Sequence, residues 1–382
     1  MIFLRFRFTL IIITVLAFLL PVDGFALGLS AHSAVVINTV TGDVVYEKSA
    51  YTTMPMASTT KIMTAICAIE NGDLDGMVKV HPSAVGVEGS SMYLGHGEEL
   101  TLRDLLYGLM LSSGNDAAVA IAVHISGGVD EFANLMNETA KKIGAKDTCF
   151  ANPNGLDDDN HYTTAYDLAM ITRYGMSLPE FAEIVSSKTA KVPWQGRDYP
   201  RTLNNHNKLL NMYEGCDGVK TGFTKKSGRC LVSSATREGY QVIAVTLNAP
   251  NDWNDHMAML DYAFANYENK TVISADDYLC TVPVVNGNVD SVRLCAAEGF
   301  SLPVPNGTTP KIEMKFDIPR QLDAPVGFDQ KIGKVDIYYN GSLIKTVDAV
   351  SCGSASYVEP KNFFTSMKKI LMALVALGRP IC

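Results

Sequence analysis

The sequence predicts an α/β (α+β) domain over residues 30–268 and a small all-β domain over residues 270–357. In the first region, β-rich runs stand at both ends and amphipathic helical patterns fill the middle. Strands at the two ends of one unit pair across the inserted helices, so we expect a largely antiparallel sheet covered by helices. Beyond residue 270 helical periodicity disappears and short β-rich runs alternate with Pro and Gly turns, which is typical of an all-β domain.

Local patterns predict the elements of the first domain. A β-hairpin is predicted over residues 34–46, and a helix begins after Pro55, where apolar residues recur at helical spacing. Helical segments are predicted over residues 101–145, and another helix over residues 164–176 opens with a capping pattern. The closing elements are strands over residues 216–222, 230–235 and 241–247 and a helix over residues 253–267.

The N-terminus has the pattern of an export signal. Arg5 and Arg7 precede an apolar run over residues 8–20, and residues 24–26 (GFA) form a small-residue processing site. This pattern predicts a secretory signal peptide over residues 1–26 that is cleaved near Ala26. The alternative is an uncleaved membrane anchor, for which the apolar run is short. Both interpretations predict an exported, extracytoplasmic protein.

Export favours disulfide formation among the eight cysteines. If Gly287 and Asn288 form a two-residue hairpin loop, Cys280 lies directly opposite Cys295 on the neighbouring strand. Opposed residues on paired strands are near enough to be bridged. We therefore predict a disulfide between these two cysteines.

The tail over residues 358–382 is apolar and is interrupted by Lys368 and Lys369. Its large apolar residues fall on one helical face, which predicts an interfacial amphipathic helix peripherally attached to the outer face of the cytoplasmic membrane. The alternative is a helix that docks onto the protein itself.

The composition argues against several classes of function. The net charge of −8 argues against a nucleic-acid partner, because a phosphate-binding surface needs clustered Lys and Arg. The seven histidines are scattered, and the sequence has no Gly-rich phosphate loop, so neither a metal nor another cofactor is expected.

Ser58 and Lys61 have the spacing of a nucleophile and its base. They stand three residues apart where a turn becomes an apolar helix, so their side chains share one helical face. Near the helix N-terminus, unpaired N–H groups favour a developing negative charge on Ser58. Lys61, held against an apolar surface, is desolvated toward its neutral, basic form.

Two further motifs follow in order. Ser113-Gly114-Asn115 lies between two helical segments, and residues 220–222 (KTG) lie in a predicted strand. With residues 58–61, this set resembles the signature of the penicillin-recognising serine enzymes, the penicillin-binding proteins and serine β-lactamases. Residues 30–268 resemble a β-lactamase/transpeptidase-like domain. The β-domain and tail make the whole similar to the low-molecular-mass D-alanyl-D-alanine carboxypeptidases, S11-type serine peptidases.

The resemblance implies catalytic roles for Ser58, Lys61, Ser113 and Asn115. Ser58 is expected to attack the carbonyl between the two D-alanines of a peptidoglycan stem peptide, with Lys61 taking its proton. Ser113 is expected to pass the proton to the leaving amine, and Asn115 to hold the Lys61 side chain and the substrate amide. β-Lactam antibiotics are the expected covalent inhibitors.

The resemblance also implies a substrate-binding strand. Lys220 is expected to keep Lys61 neutral and to attract the terminal carboxylate of the peptide, with the Thr221 hydroxyl as a further donor. Gly222 admits the substrate backbone as an added β-partner. The N–H groups of Ser58 and Phe223 are expected to bind the oxyanion.

The sequence departs from the family pattern where relatives often carry an arginine for the substrate carboxylate. In residues 204–210 this chain offers His206 or Lys208, and residues 252–256 also lack a basic residue at a place where some relatives have one. The residue that binds the carboxylate therefore stays open.

The expected function is a D-Ala-D-Ala carboxypeptidase that removes the terminal D-alanine from stem pentapeptides. A class A-like β-lactamase needs a glutamate for deacylation, and residues 152–157 (NPNGLD) lack the E-x-x-x-N pattern. A class A-like β-lactamase, a peptidoglycan DD-endopeptidase and a non-catalytic wall-binding scaffold are the alternative functions that stay open.

Overall fold

The computed structural model describes residues 27–359 and Met367. The predicted signal peptide and nearly all of the predicted tail lie outside these residues. Within them, no helix combines the length and the apolar character needed to cross a bilayer.

The predicted elements of the first domain are present, and six further short elements between residues 77 and 212 were not predicted. In the described part of the chain this domain contains nine strands and eight α-helices. In chain order these are β1 (Ser33–Asn38), β2 (Val44–Lys48), α1 (Lys61–Asn71), β3 (Met77–Lys79), β4 (Glu99–Thr101), α2 (Leu102–Leu111), α3 (Asn115–Ser126), α4 (Val129–Ile143), α5 (Ala165–Met176), α6 (Pro179–Ser186), β5 (Thr189–Val192), β6 (Arg201–Asn204), α7 (Leu209–Met212), β7 (Cys216–Thr224), β8 (Gly228–Arg237), β9 (Tyr240–Leu247) and α8 (Asp252–Asn266). A 3-10 turn, Ala57–Thr60, precedes α1 and is called here the 57–60 turn.

A five-stranded antiparallel sheet in the order β2-β1-β9-β8-β7 forms the centre of this domain. Successive strand residues point to opposite faces. Val35 and Ile37 of β1 therefore join the core beneath the helices α1 to α6, whereas Ala34 and Val36 join the core beneath α8. The predicted fold class, an antiparallel sheet covered by helices, is confirmed.

Helix α1 lies inside the helical layer, packed against α2, α3, α4 and α5. Eight of its eleven residues are buried, and the buried ones include Lys61 at its first position. A helix that is apolar around most of its circumference is stable when it is enclosed in this way. The sequence thus buries a lysine amine next to the turn that carries Ser58.

The second domain is all-β, as predicted. Its strands are β10 (Tyr267–Ile273), β11 (Tyr278–Val285), β12 (Ser291–Ala296), β13 (Phe300–Pro305), β14 (Ile312–Asp317), β15 (Leu322–Asp323), β16 (Lys331–Tyr339) and β17 (Ser342–Ser351). Six of them form a sheet in the order β14-β16-β17-β12-β11-β15, and β10 pairs with β13.

The predicted disulfide between Cys280 and Cys295 is wrong. Cys295 is joined to Cys352, and Cys280 has no disulfide partner among residues 27–359. In the β11–β12 pairing Cys280 lies opposite Leu294, and a bulge places Tyr278 opposite Cys295. The connection between the strands is longer than a two-residue loop, and a shift of one residue moves a side chain to the other face of the sheet.

Candidate active site

The structure brings Ser58 and Lys61 together. Ser58 lies in the 57–60 turn, and Lys61 begins α1 one turn later. Lys61 Nζ lies 3.0 Å from Ser58 Oγ. The Lys61 side chain is fully buried, so the contact is shielded from bulk water on the lysine side.

The surroundings of Lys61 favour a neutral amine. Its Nζ donates to Asn115 Oδ1 at 2.6 Å and to the Asn154 carbonyl at 2.5 Å. A neutral amine has two N–H groups and one lone pair, so its lone pair then faces Ser58 Oγ–H. Burial and the charge of Lys220 lower the pKa of Lys61 well below its ordinary value, and Asp116 acts in the opposite direction. Lys61 is arranged to accept the Ser58 proton.

Asn115 is held rigidly at the start of α3. Its amide oxygen accepts from Lys61, and its Nδ2 donates to the Glu88 carbonyl at 2.5 Å. Its backbone N–H donates to the Ser90 carbonyl at 2.7 Å. Ser113, two residues earlier, adopts a left-handed φ of 58°, which is uncommon for a non-glycine residue and is typical of functional turns. This backbone places Ser113 at the cleft wall.

Asp116 holds the loop of residues 86–98 against the same helix. Its carboxylate accepts from the Ser91 hydroxyl at 2.6 Å and from the N–H groups of Met92 and Leu94 at 3.0 and 3.1 Å. The loop thereby brings Ser90 to the cleft. No role was predicted for Asp116, although an acidic residue in the first turn of an otherwise apolar helix is the signal for one.

Strand β7 forms the opposite wall. Thr221, Gly222 and Phe223 line the cleft, whereas Lys220 lies behind them and donates from Nζ to the Thr221 carbonyl at 2.9 Å. Burial lowers the pKa of Lys220 to about 7. A Cβ at Gly222 would lie 3.1 Å from the Ser58 nitrogen, so glycine lets the strand approach the 57–60 turn closely.

A loop after α4 closes the back of the site. Gly155 has a φ of 87°, and a Cβ there would lie 2.0 Å from the Ala57 carbonyl oxygen. Asn152 Oδ1 accepts from the Gly155 N–H at 2.7 Å and fixes this turn. The neighbouring Asn154 offers its carbonyl to Lys61. In the sequence these residues were notable only for lacking a glutamate, and this backbone contact was not anticipated.

The cleft between these walls has a volume of about 320 Å³. Its lining residues are Ser58, Ser90, Ser113, His206, Thr221, Gly222, Phe223, Arg229, Asp252 and Trp253. Of the eight predicted site residues, five line the cleft directly, and Lys61, Asn115 and Lys220 lie buried beside it.

The structure offers a cation that was not predicted from the sequence. Arg229 lies opposite Phe223 in the β7–β8 pairing and lines the cleft. Its Nη2 contacts the buried carboxylate of Asp252 at 2.9 Å, and its guanidinium lies 5.8 Å from the centre of the Trp253 ring. His206 also lines the cleft. The short β7–β8 hairpin was the available signal, because it returns the chain to the K-T-G motif within a few residues.

The family comparisons cover nearly all of the described chain. Residues 24–251 match the model described as D-alanyl-D-alanine carboxypeptidase, and residues 267–354 match the model described as penicillin-binding protein 5, C-terminal domain.

Individual relatives give the same result. The chain is 33% identical over 323 residues to the D-alanyl-D-alanine carboxypeptidase DacF of Bacillus subtilis, and the match covers 82% of this chain and 83% of the relative. It is 31% identical over 332 residues to DacC of Escherichia coli, covering 82% of each. Among solved structures, penicillin binding protein 5 from Haemophilus influenzae is similar with a TM-score of 0.62 and 29% identity, covering 86% of this chain and 98% of the other.

Proposed function

Because the chain belongs to the D-alanyl-D-alanine carboxypeptidase family, we propose that it removes the terminal D-alanine from peptidoglycan stem pentapeptides through an acyl-enzyme on Ser58. One observation carries the assignment of the nucleophile. In the described structure, Ser58 Oγ lies in the cleft, 3.0 Å from the buried amine of Lys61. A serine hydroxyl needs such a base to attack an amide.

The proposed reaction has two halves. Lys61 takes the Ser58 proton as Oγ attacks the carbonyl between the D-alanines, and the N–H groups of Ser58 and Phe223 stabilise the oxyanion. The C–N bond breaks, and the leaving amine takes a proton through Ser113. Water then attacks the ester, a carboxylate forms at the new end of the shortened peptide, and Ser58 regains its proton. A β-lactam acylates Ser58 in the same way, with its ring amide as the bond that breaks.

We also propose that Arg229 binds the terminal carboxylate of the substrate together with Thr221 and Lys220. The guanidinium has five N–H donors, and the contact with Asp252 uses its Nη2, so it can bind a second carboxylate. Lys208, one of the residues considered from the sequence, instead precedes α7 on the surface.

We expect Arg229→Gln to raise KM for a peptide ending in D-Ala-D-Ala by about tenfold or more, because a charge-assisted hydrogen bond is lost. The effect should nearly vanish with the C-terminal amide of the same peptide, which has no carboxylate. Arg237→Gln is the matched control, since Arg237 ends the same strand but stacks on Tyr213, 4.7 Å from its ring centre. An equal loss with acid and amide peptides would contradict the assignment.

The function is tested by mass spectrometry of the purified protein after incubation with benzylpenicillin and, separately, with a peptide ending in Lys-D-Ala-D-Ala. We expect an adduct on the peptide that contains Ser58 and the release of a single D-alanine. Cleavage of cross-linked stem dimers alone would favour an endopeptidase, and rapid complete turnover of penicillin a β-lactamase. If neither an adduct nor the release of D-alanine is observed, the function that remains is a non-catalytic wall-binding scaffold.

We further propose that the protein is exported and held at the outer face of the cytoplasmic membrane by its C-terminal tail. The support is the sequence pattern of residues 1–26 and 358–382, both of which fall almost wholly outside the described residues. The disulfide between Cys295 and Cys352 suits an oxidising compartment. Fractionation tests this proposal, because removal of residues 360–382 should move the protein from the membrane to the soluble exported fraction.

A further inference from the structure

Three hydrogen bonds connect a distant loop to the peptide bond just before Ser58. The Ala151 N–H donates to His161 Nδ1 at 3.0 Å, and His161 Nε2 lies 2.7 Å from Thr60 Oγ1. The Thr60 hydroxyl donates in turn to the Ala57 carbonyl at 2.8 Å. Thr60 is fully buried and His161 is 3% exposed, so water does not compete for these bonds.

The direction of the chain is fixed by its first donor. Because a backbone N–H points at Nδ1, that nitrogen carries the lone pair, and a neutral ring has its proton on Nε2. Burial lowers the pKa of His161 to about 4, which keeps the ring neutral near pH 7. Thr60 Oγ1 therefore accepts from His161 and has its own proton free for Ala57.

The last bond controls the orientation of the Ser58 N–H. The Ala57 carbonyl and the Ser58 N–H belong to one planar peptide group and point in opposite directions. Ala57 has a left-handed φ of 48°, a conformation that persists only where the surroundings hold it. On its other side the Ser58 nitrogen faces β7, since a Cβ at Gly222 would lie 3.1 Å from it.

We infer that Thr60 and His161 are positioning residues that aim the Ser58 N–H at the oxyanion, an inference that rests on the proposed function. The hydroxyl bond alone is ordinary for a 3-10 turn, because Thr59 Oγ1 makes the same bond to the Met56 carbonyl at 2.6 Å. Thr60 differs in having His161 as a second partner. The loop that ends at His161 also supplies the Asn154 carbonyl to Lys61. One loop thus sets both the base and the oxyanion donor.

The test measures two quantities with benzylpenicillin. One is the dissociation constant of the non-covalent complex, and the other is the rate constant for the acylation that follows. We expect Thr60→Val and His161→Asn each to lower the acylation rate constant by about ten- to hundredfold, the range for a misdirected oxyanion donor. The dissociation constant should stay within about twofold of the parent value. Thr60→Ser, which keeps the hydroxyl, should restore most of the rate.

A second pair of variants identifies the shared hydrogen-bond chain. In His161→Asn the asparagine side chain would be too short to reach Thr60, whereas His161→Gln keeps a donor near the Nε2 position and should lose less. Thr60→Val combined with His161→Asn should lose no more than the worse single variant, because both break one chain. Thr172→Val is the matched control, since it removes a buried hydroxyl bond to the Leu168 carbonyl in α5.

Parent-like rates in Thr60→Val and His161→Asn would overturn the inference, as would a change in the dissociation constant alone or a fully additive double variant. A melting curve for each variant identifies any that fail to fold, and Thr60→Ser and His161→Gln then carry the comparison. A parent protein that forms no Ser58 adduct would refute the proposed function itself, which is a different outcome.

Discussion

Ser58→Ala is expected to abolish both D-alanine release and the covalent penicillin adduct, with a loss of at least about 10⁴-fold in kcat. The reason is that both halves of the proposed reaction pass through the ester on Ser58 Oγ. Binding should survive, because the variant leaves Thr221, Lys220 and Arg229 in place. The measurements are D-alanine release and intact mass after incubation with benzylpenicillin.

A matched control separates the loss of the nucleophile from damage to a turn. Ser83→Ala changes an exposed serine in another 3-10 turn, Pro82–Ala84, and should leave both readouts unchanged. An adduct of normal yield in Ser58→Ala would place the nucleophile elsewhere. Ser113, which also lines the cleft, would be the next residue to change.

The parts of the site that could be predicted from the sequence are those set by local spacing. Ser58 and Lys61 meet because they lie one helical turn apart, and Thr221 and Gly222 line the cleft because a strand presents them, with Lys220 buried beside it. The contact of Asn115 with Lys61 crosses 54 positions and was expected from the resemblance to the family. The two-domain fold could also be predicted from the sequence, because its opening hairpin and closing strands have clear local patterns.

The parts that could not be predicted depend on packing between elements. The Asn154 carbonyl reaches Lys61 through a backbone position that no residue type marks in the sequence, and Arg229 reaches the cleft through the register of the β7–β8 pairing. The cysteine pairing failed for a related reason. Strand register depends on loop length and bulges, and an error of one residue moves Cys280 away from Cys295.

The position of Arg229 also has a physical basis that a family pattern does not supply. The site must bind a carboxylate next to two buried lysines whose pKa values are lowered. An arginine keeps its charge at every pH at which the protein works, and Asp252 and Trp253 fix its orientation. The Arg229 side chain is 42% exposed and contacts Asp252, so its charge is both solvated and paired, whereas the Lys220 amine is buried. The arrangement thus adds a permanent cation for binding to the titrating amines of Lys61 and Lys220.

Lys61→Met is expected to lower the rate of acylation by about 10²- to 10⁴-fold, the usual contribution of a general base. Methionine is close to lysine in length and fits the buried channel, so the effect should reside in the chemistry. Lys142→Met, on the exposed face of α4, is the matched control. A rate within about threefold of the parent in Lys61→Met would exclude Lys61 as the base.

The direction in which the acylation rate of the parent protein changes with pH tests the same assignment of Lys61 as the base. Only neutral Lys61 accepts a proton, so acylation should rise as pH rises through the pKa of Lys61 and level off above it. Since burial and Lys220 lower that pKa, the rise should occur well below the ordinary lysine range.

Lys220 is itself charged mainly below its pKa of about 7, where its repulsion assists deprotonation of Lys61. Lys220→Gln removes this charge, so the pKa of Lys61 should increase and the rise in rate should move to higher pH. The measurement is the rate of acylation by benzylpenicillin as a function of pH. If the pH at which this rate rises is unchanged in Lys220→Gln, the titrating group is not Lys61.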